Sequence, residues 1–195
     1  MKNTKKKLLS ILAFLLLLTA CGNKGNDNQP EVSHPDEENT EVVQPGVETP
    51  IINQDFAALT TQSDLEAIIM GLYTESDLDP EFLEAIGNFH LITTLKPEDK
   101  TSQEAYFGGT YDFKEAKISE SGISTSAYSL MLLRAEDAGQ AKKLAQDISK
   151  SVNPNKWICV TAETVVSLAN DDLVLVIMGE QKEATKIIET FKRLP

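Results

Sequence analysis

Apolar residues recur at helical spacing in two stretches soon after residue 50. The first stretch places four of them on one helical face: Leu65, Ile68, Ile69 and Leu72. Ser63 and Glu66, three residues apart, are typical of a capping box at the start of that helix. In the second stretch, Asp79 suits the cap position and Pro80 the first helical turn. A shorter apolar stripe follows: Phe82, Leu83 and Ile86. The pattern therefore predicts two helices here.

Strand-like runs follow these helices. Strands are predicted at residues 91–95, 127–134 and 157–160. Between the last two, a helix that ends at Asn153-Pro154 is predicted from five apolar residues: Ala141, Leu144, Ala145, Ile148 and Val152.

The last quarter of the chain predicts a hairpin and a closing helix. Residues 164–169 and 173–178 are strand-like and are separated by Asn170-Asp171-Asp172. The second strand is apolar on both faces, which is typical of a central strand. The closing helix is predicted from a stripe at helical spacing: Ala184, Ile187, Ile188 and Phe191.

Residues 101–125 leave two alternatives open. Gly108-Gly109 is either the turn of a hairpin between residues 105–107 and 111–113 or part of an irregular loop.

Taken together, the elements predict a single α+β domain at residues 51–195, with a mainly antiparallel sheet packed by amphipathic helices.

The composition excludes some functions. The chain has 195 residues, and 30 Asp and Glu stand against 18 Lys and Arg, which gives a formal net charge of −12. A nucleic-acid binder needs the opposite balance to meet phosphates, so no nucleic-acid partner is expected. Gly108-Gly109 lacks the lysine and the strand-to-helix setting of a phosphate-binding loop, and no cofactor is expected.

The N-terminus has the pattern of a secretory signal. Four lysines precede an apolar run at residues 8–18: Lys2, Lys5, Lys6 and Lys7. The run is shorter than the roughly 20 apolar residues that a membrane-spanning helix needs. Leu18-Thr19-Ala20-Cys21 follows and resembles the lipobox of bacterial lipoproteins.

The lipobox resemblance implies cleavage between Ala20 and Cys21 and attachment of a diacylglyceryl group to the Cys21 thiol, with palmitate-type acyl chains. A single acyl chain binds a membrane only marginally, whereas two or more anchor a protein stably. We therefore expect residues 1–20 to be a signal peptide and the mature protein to be held at the extracytoplasmic face of the cell membrane. The alternative is an ordinary signal peptide that leaves Cys21 as a free thiol.

Residues 21–50 predict a disordered acidic tether that begins at the lipidated Cys21. They hold four of the eight prolines, no aromatic residue, and seven acids against one lysine. Such a chain reaches roughly 30 Å on average. It acts either as a spacer that lifts the domain from the membrane or as a linker of no particular length.

Few side chains in the domain suggest catalysis. Of the two histidines, His34 lies in the tether and His90 is expected to be an ordinary surface or strand-edge residue. Cys159 is expected to be a buried, inert thiol rather than a nucleophile. The acids near Asp77 do not fit an EF-hand, because Phe82 stands where glycine is required, and no metal site is expected.

A longer resemblance covers roughly residues 60–194. Residues 155–163 read Asn-Lys-Trp-Ile-Cys-Val-Thr-Ala-Glu and precede the predicted hairpin and closing helix. This Lys-Trp-Ile-x-Val-x-Ala-Glu element resembles an uncharacterised family of small bacterial lipoproteins with a C-terminal domain of unknown function. The resemblance implies an exported, lipid-anchored α+β domain and no particular activity. Trp157 is expected to be a core anchor, with an exposed recognition residue as the alternative.

Two classes of function remain. The first is a non-enzymatic binding module of the cell envelope, anchored through Cys21, whose folded domain binds a protein partner, such as an envelope protein, or another envelope component. The second is a small extracytoplasmic enzyme that acts on cell-wall or extracellular substrate through carboxylates such as Glu163, Asp171 or Asp172. A shared pocket holding two of these carboxylates is the feature that distinguishes the enzyme.

Overall fold

The two most apolar strands of the sequence lie side by side in the middle of a five-stranded antiparallel sheet. The computed structural model describes residues 55–122 and 126–195, all of which belong to one compact unit. The predicted signal peptide, Cys21, the tether and the domain boundary at residue 51 lie outside the described residues.

Every neighbouring pair of strands is antiparallel, and the order across the sheet is β1-β2-β3-β5-β4. The bounds are β1 His90–Leu95, β2 Glu115–Ser121, β3 Ser129–Arg134, β4 Thr164–Asn170 and β5 Leu173–Gly179. β3 and β5 are buried along their whole length, because helices cover both faces of the sheet. The predicted hairpin and its central second strand are confirmed.

Helices flank the sheet within the described residues. A 3₁₀ turn at Phe56–Ala58 precedes them, and their bounds are α1 Leu65–Glu75, α2 Pro80–Phe89, α3 Lys100–Phe107, α4 Ala138–Ser151 and α5 Gln181–Lys192. Four of the five were predicted from apolar stripes. The domain is therefore an α+β fold with a mainly antiparallel sheet, as the sequence predicts.

Each face of the sheet has its own apolar core. On one face, α1, α5 and Ile86 of α2 pack against alternate residues of β3 and β5, including Leu130 and Leu175. On the other face, α4 and Phe107 of α3 pack against the intervening residues, including Met131 and Val176. The period of two along each strand explains why consecutive residues supply opposite cores.

The predicted hairpin at Gly108-Gly109 is wrong, and the irregular-loop alternative fails for residues 105–107. α3 occupies them, ends at Phe107 and is capped by Gly108, which has a left-handed conformation with φ of 68°. A Cβ at Gly108 would lie 2.0 Å from the backbone oxygen of Ser151, so only glycine fits this crossing.

Two smaller predictions also fail. The N-cap of α1 is Asp64, whose carboxylate accepts hydrogen bonds from the backbone N–H groups of Glu66 and Ala67. Ser63 instead accepts from the backbone N–H of Thr60, which closes the preceding turn. Residues 157–160 form no strand, because they pass beside the sheet without joining its hydrogen-bond ladder. The cap at Asp79 with Pro80 in the first turn is confirmed.

Candidate binding surface

The sheet has two ends with different chemistry. At one, β3 ends with Arg134 and the turn between β4 and β5 follows Asn170; we call it the Arg134 end. At the other, β1, β3 and β4 begin and β5 ends, and the segment that contains Ile158 lies beside it; we call it the Ile158 end.

Asp172 lies at the Arg134 end in an ion-pair network. Its carboxylate is 3.3 Å from the Arg134 guanidinium, which also bonds Glu115 at 2.8 Å. The same guanidinium donates to the backbone oxygens of Thr61 and Ser63, at 2.5 and 2.7 Å. These contacts use all three nitrogens of the Arg134 guanidinium and tie two turns and two strands together. Asp172 is thus a structural partner of a buried cation.

Asp171 and Glu163 are occupied elsewhere. Asp171 adopts a φ of 52° in the hairpin turn and accepts from the Thr61 hydroxyl at 3.4 Å. Glu163 accepts from the backbone N–H of Gln181, the first residue of α5, at 3.2 Å. Glu163 and Asp171 flank β4 at opposite ends, and the strand between them is about 20 Å long at the usual rise per residue. The structure does not bring the predicted carboxylates into one pocket.

His90 lies in a cluster of hydroxyl and aromatic groups near the Ile158 end. The Tyr128 hydroxyl donates to Tyr73 at 3.2 Å, and Tyr73 donates to Ser119 at 2.8 Å. The Ser119 oxygen is 3.3 Å from Nδ1 of His90, whose ring centroid is 5.2 Å from that of Tyr128. His90 is at a strand edge, as predicted, but its ring is partly buried against two tyrosines.

Burial controls the protonation of this cluster. Removal from water raises the pKa of Tyr73 to about 12, and burial also raises the pKa of Tyr128, with the neighbouring Tyr73 adding to the effect. Burial lowers the pKa of His90 to about 4. All three groups are therefore neutral near pH 7. A neutral, internally bonded chain of this kind orients the strands and helices around it.

Trp157 packs partly buried against the core on the α4 face. The Lys156 ammonium lies between two rings, 4.9 Å from the centroid of Tyr106 and 5.1 Å from that of Trp157, and it pairs with Glu120 of β2. Burial and the Glu120 charge raise the pKa of Tyr106. These contacts hold residues 156 and 157 firmly against the domain.

The next two side chains face solvent. Ile158 is 90% exposed, and Cys159 is exposed as well, so the prediction of a buried thiol is wrong. The physical reason is that residues 157–160 do not form the predicted strand. Trp157 supplies the packing, and the backbone after it turns outward until Ala162 is buried again.

Two more large apolar side chains are exposed near the start of β1. Phe89 is 46% exposed and Leu91 is 65% exposed. Leu91 lies directly across from Glu120, the partner of Lys156, and so shares the sheet face on which Trp157 packs. Phe89, Leu91 and Ile158 are the large exposed apolar residues of the described chain, and all three lie toward the Ile158 end of the sheet; we use the term apolar surface for these three side chains.

A cavity of about 220 Å³ opens at the same end of the sheet. Phe82 and Tyr128 form its apolar wall, and Val160, Glu163 and Glu180 line its other side. Phe82 meets Tyr128 edge to face with ring centroids 5.0 Å apart, which connects the cavity wall to the His90 cluster. The cavity lies beside the segment that presents Ile158.

Sequence patterns did not identify the apolar surface. Ile158 and Leu91 both fall in apolar runs that predict buried strands, and their exposure depends on neighbours distant in sequence.

Within residues 55–122 and 126–195, no group of three His, Cys, Asp or Glu side chains is placed to hold a metal ion. No helix in that same part of the chain is long and apolar enough to cross a membrane.

Comparison with known proteins identifies no relative of this chain. No protein-family model and no curated protein matches the sequence, and no solved structure matches it either. Functional inference therefore rests on the residues of this chain.

Proposed function

We propose that the chain is a lipid-anchored extracytoplasmic protein that binds a protein of the cell envelope through the apolar surface of Phe89, Leu91 and Ile158. The observation that carries the proposal is the 90% exposure of Ile158 beside a lysine and a tryptophan that are held in place. A large apolar side chain presented on a fixed backbone loses little conformational entropy when a partner covers it.

The energetics favour a protein partner. Covering one large aliphatic side chain contributes about 1.5–3 kcal/mol, and the apolar surface offers three large side chains. Exposed apolar residues rimmed by charged groups are typical of interaction sites. The domain also carries 23 acids against 13 Lys and Arg, so its field attracts basic partners over a longer range.

The lipobox resemblance supports the anchoring part of the proposal. A basic N-terminus, an apolar run of the right length and Ala20-Cys21 occur in the expected order. Two acyl chains on Cys21 would keep the domain at the membrane without a spanning helix.

Lipidation is tested by metabolic labelling with an alkyne analogue of palmitate. The wild-type chain should take up the label and sediment with membranes, and Cys21→Ser should lose both properties. A Cys21→Ser chain that still carries the label would contradict anchoring at this residue.

Partner binding is tested by capture from the native envelope fraction with a short cross-linker. Ile158→Asp should lose a recurrent partner that the wild-type chain captures. Asn155→Asp is the matched control, because it adds the same charge to the same segment and keeps the oxygen that accepts from Thr161 at 2.9 Å. Equal capture by the two variants would refute the role of Ile158.

A further inference from the structure

Within the described part of the chain, no strand lies beside the outer edge of β4. β4 is the last strand of the sheet. The Ala135 N–H donates to the backbone oxygen of Asp172 at 2.8 Å, so every second residue of β5 counted from Asp172 bonds to β3. The residues between them, starting with Leu173, bond to β4. Asn170, opposite Leu173, therefore bonds to β5, as does every second residue before it. The N–H and C=O groups that point to the open edge are those of Val165, Ser167 and Ala169.

Nothing in the strand protects this edge. None of these three residues has a backbone partner outside the sheet ladder within residues 55–122 and 126–195. β4 reads Thr-Val-Val-Ser-Leu-Ala-Asn, without the lysine or proline that natural edge strands use to prevent pairing. The edge is thus a template for one more extended chain.

A shallow groove of about 270 Å³ runs beside the edge, between β4 and α4. Lys142, Gln146 and Ser149 line it from successive turns of α4, and Ser167 and Ala169 line it from β4. The Ser167 hydroxyl is buried and has no hydrogen-bond partner. A helix and an open strand that flank a groove are the arrangement in which peptides add to a sheet and place alternate side chains in pockets.

The charged residue that lines the groove is a lysine, in a domain that is acidic overall. Lys142 is its charged lining residue, and its side chain is exposed and forms no ion pair within the described part of the chain. α4 carries three lysines against one aspartate. A carboxylate is therefore the ligand group that complements this site.

We propose that the groove between α4 and the open edge of β4 binds an extended peptide segment of another protein as an added strand, with a peptide carboxylate beside Lys142. The backbone of Val165, Ser167 and Ala169 would bond the peptide. This site is separate from the apolar surface and does not depend on it.

Charge favours a peptide over a second copy of the chain. A second copy would bring another domain with 23 acids and 13 bases, and the two would repel. A short peptide brings only the carboxylate that Lys142 can pair with.

The test measures amide hydrogen exchange by NMR on the full chain, with three six-residue probes of alternating valine and threonine. One probe has a free carboxyl terminus, one is amidated, and one is amidated with a glutamate in place of one threonine. The amides of Val165, Ser167 and Ala169 should slow their exchange at least tenfold with a carboxylate-bearing probe. The first and third probes distinguish a terminal from a side-chain carboxylate.

Lys142→Gln should weaken binding of the better probe about three- to fivefold, as expected for a surface ion pair. Lys150→Gln is the control, because it removes the same charge from α4 outside the groove lining and should change affinity less than twofold. Absence of protection at millimolar concentrations of all probes, or equal binding of the amidated probe without glutamate, would overturn the proposal. Self-association of the chain with protection of the same amides would also overturn it, since a second copy would then cover the edge.

Discussion

The Arg134 guanidinium and the Asp172 carboxylate lie 3.3 Å apart, with only 10% and 13% of their side chains exposed. This pair joins the end of β3 to the turn between β4 and β5. The same guanidinium holds the backbone before α1 through Thr61 and Ser63. One cation thus fixes the Arg134 end of the sheet, which accounts for Asp172, one of the three acids that the sequence offered as catalytic candidates.

Removal of the Arg134 guanidinium should destabilise the folded domain. Arg134→Ala leaves Asp172 without its cation and two backbone oxygens without the guanidinium donor, and we expect a loss of about 3 kcal/mol in the free energy of unfolding. Urea denaturation followed by circular dichroism measures it. Lys114→Ala, which breaks an exposed pair with Glu136, should cost less than about 1 kcal/mol. Equal effects of the two substitutions would contradict the assignment of Arg134 as the buried hub.

Gly108→Ala should destabilise the domain by more than about 2 kcal/mol, because a methyl group meets the Ser151 backbone oxygen and the left-handed φ becomes strained. Thermal unfolding measures the effect. Gly109→Ala should cost less, since its new Cβ would meet only the end of the Tyr111 side chain at 3.0 Å. A Gly108→Ala variant as stable as wild type would show that α3 and α4 do not cross as described.

His90 should make stability depend on pH between about 6.5 and 4. Its pKa is lowered to about 4 in the folded domain, so the unfolded chain binds the proton first as pH falls. Stability is therefore complete above pH 6.5 and falls until pH 4, by about 2 kcal/mol after allowance for partial exposure of the ring.

His90→Gln is the matched variant for this dependence. It removes the titrating group while keeping a polar side chain near Ser119, and it should flatten the stability profile between pH 6.5 and 4. Urea midpoints at half-unit pH intervals provide the measurement. A slope that persists unchanged in His90→Gln would assign the dependence to other groups.

The spacing of apolar residues in the sequence predicted those helices and strands that have a continuous buried stripe or run. α4 and α5 have such stripes, and β5 is buried at every position. α3 has no stripe. Gln103 supports it instead, donating to the Pro97 oxygen at 2.7 Å and accepting from the Tyr111 N–H at 2.7 Å. Such polar support between distant backbone groups has no hydrophobic period, so sequence reasoning missed the helix.

At the candidate site too, local sequence patterns predicted only part of what the structure shows. Trp157 was predicted to be an anchor, and it packs partly buried as an anchor does. Ile158 and Cys159 are exposed because residues 157–160 do not join the sheet, and the preceding Lys156 pairs instead with Glu120, 36 residues earlier in the chain. A tertiary ion pair of this kind has no signature in a local apolar pattern, which is why those residues suggested a buried strand.

The central claim is that the apolar surface binds an envelope protein, and photo-cross-linking from that surface tests it most directly. A photoreactive amino acid is placed at Ile158 in the full lipidated chain in living cells, with Lys192 on the exposed side of α5 as the control position. We predict one recurrent cross-linked protein from position 158, absent from position 192 and lost when Leu91→Asp is added. No cross-link from position 158, or the same products from both positions, would contradict the claim.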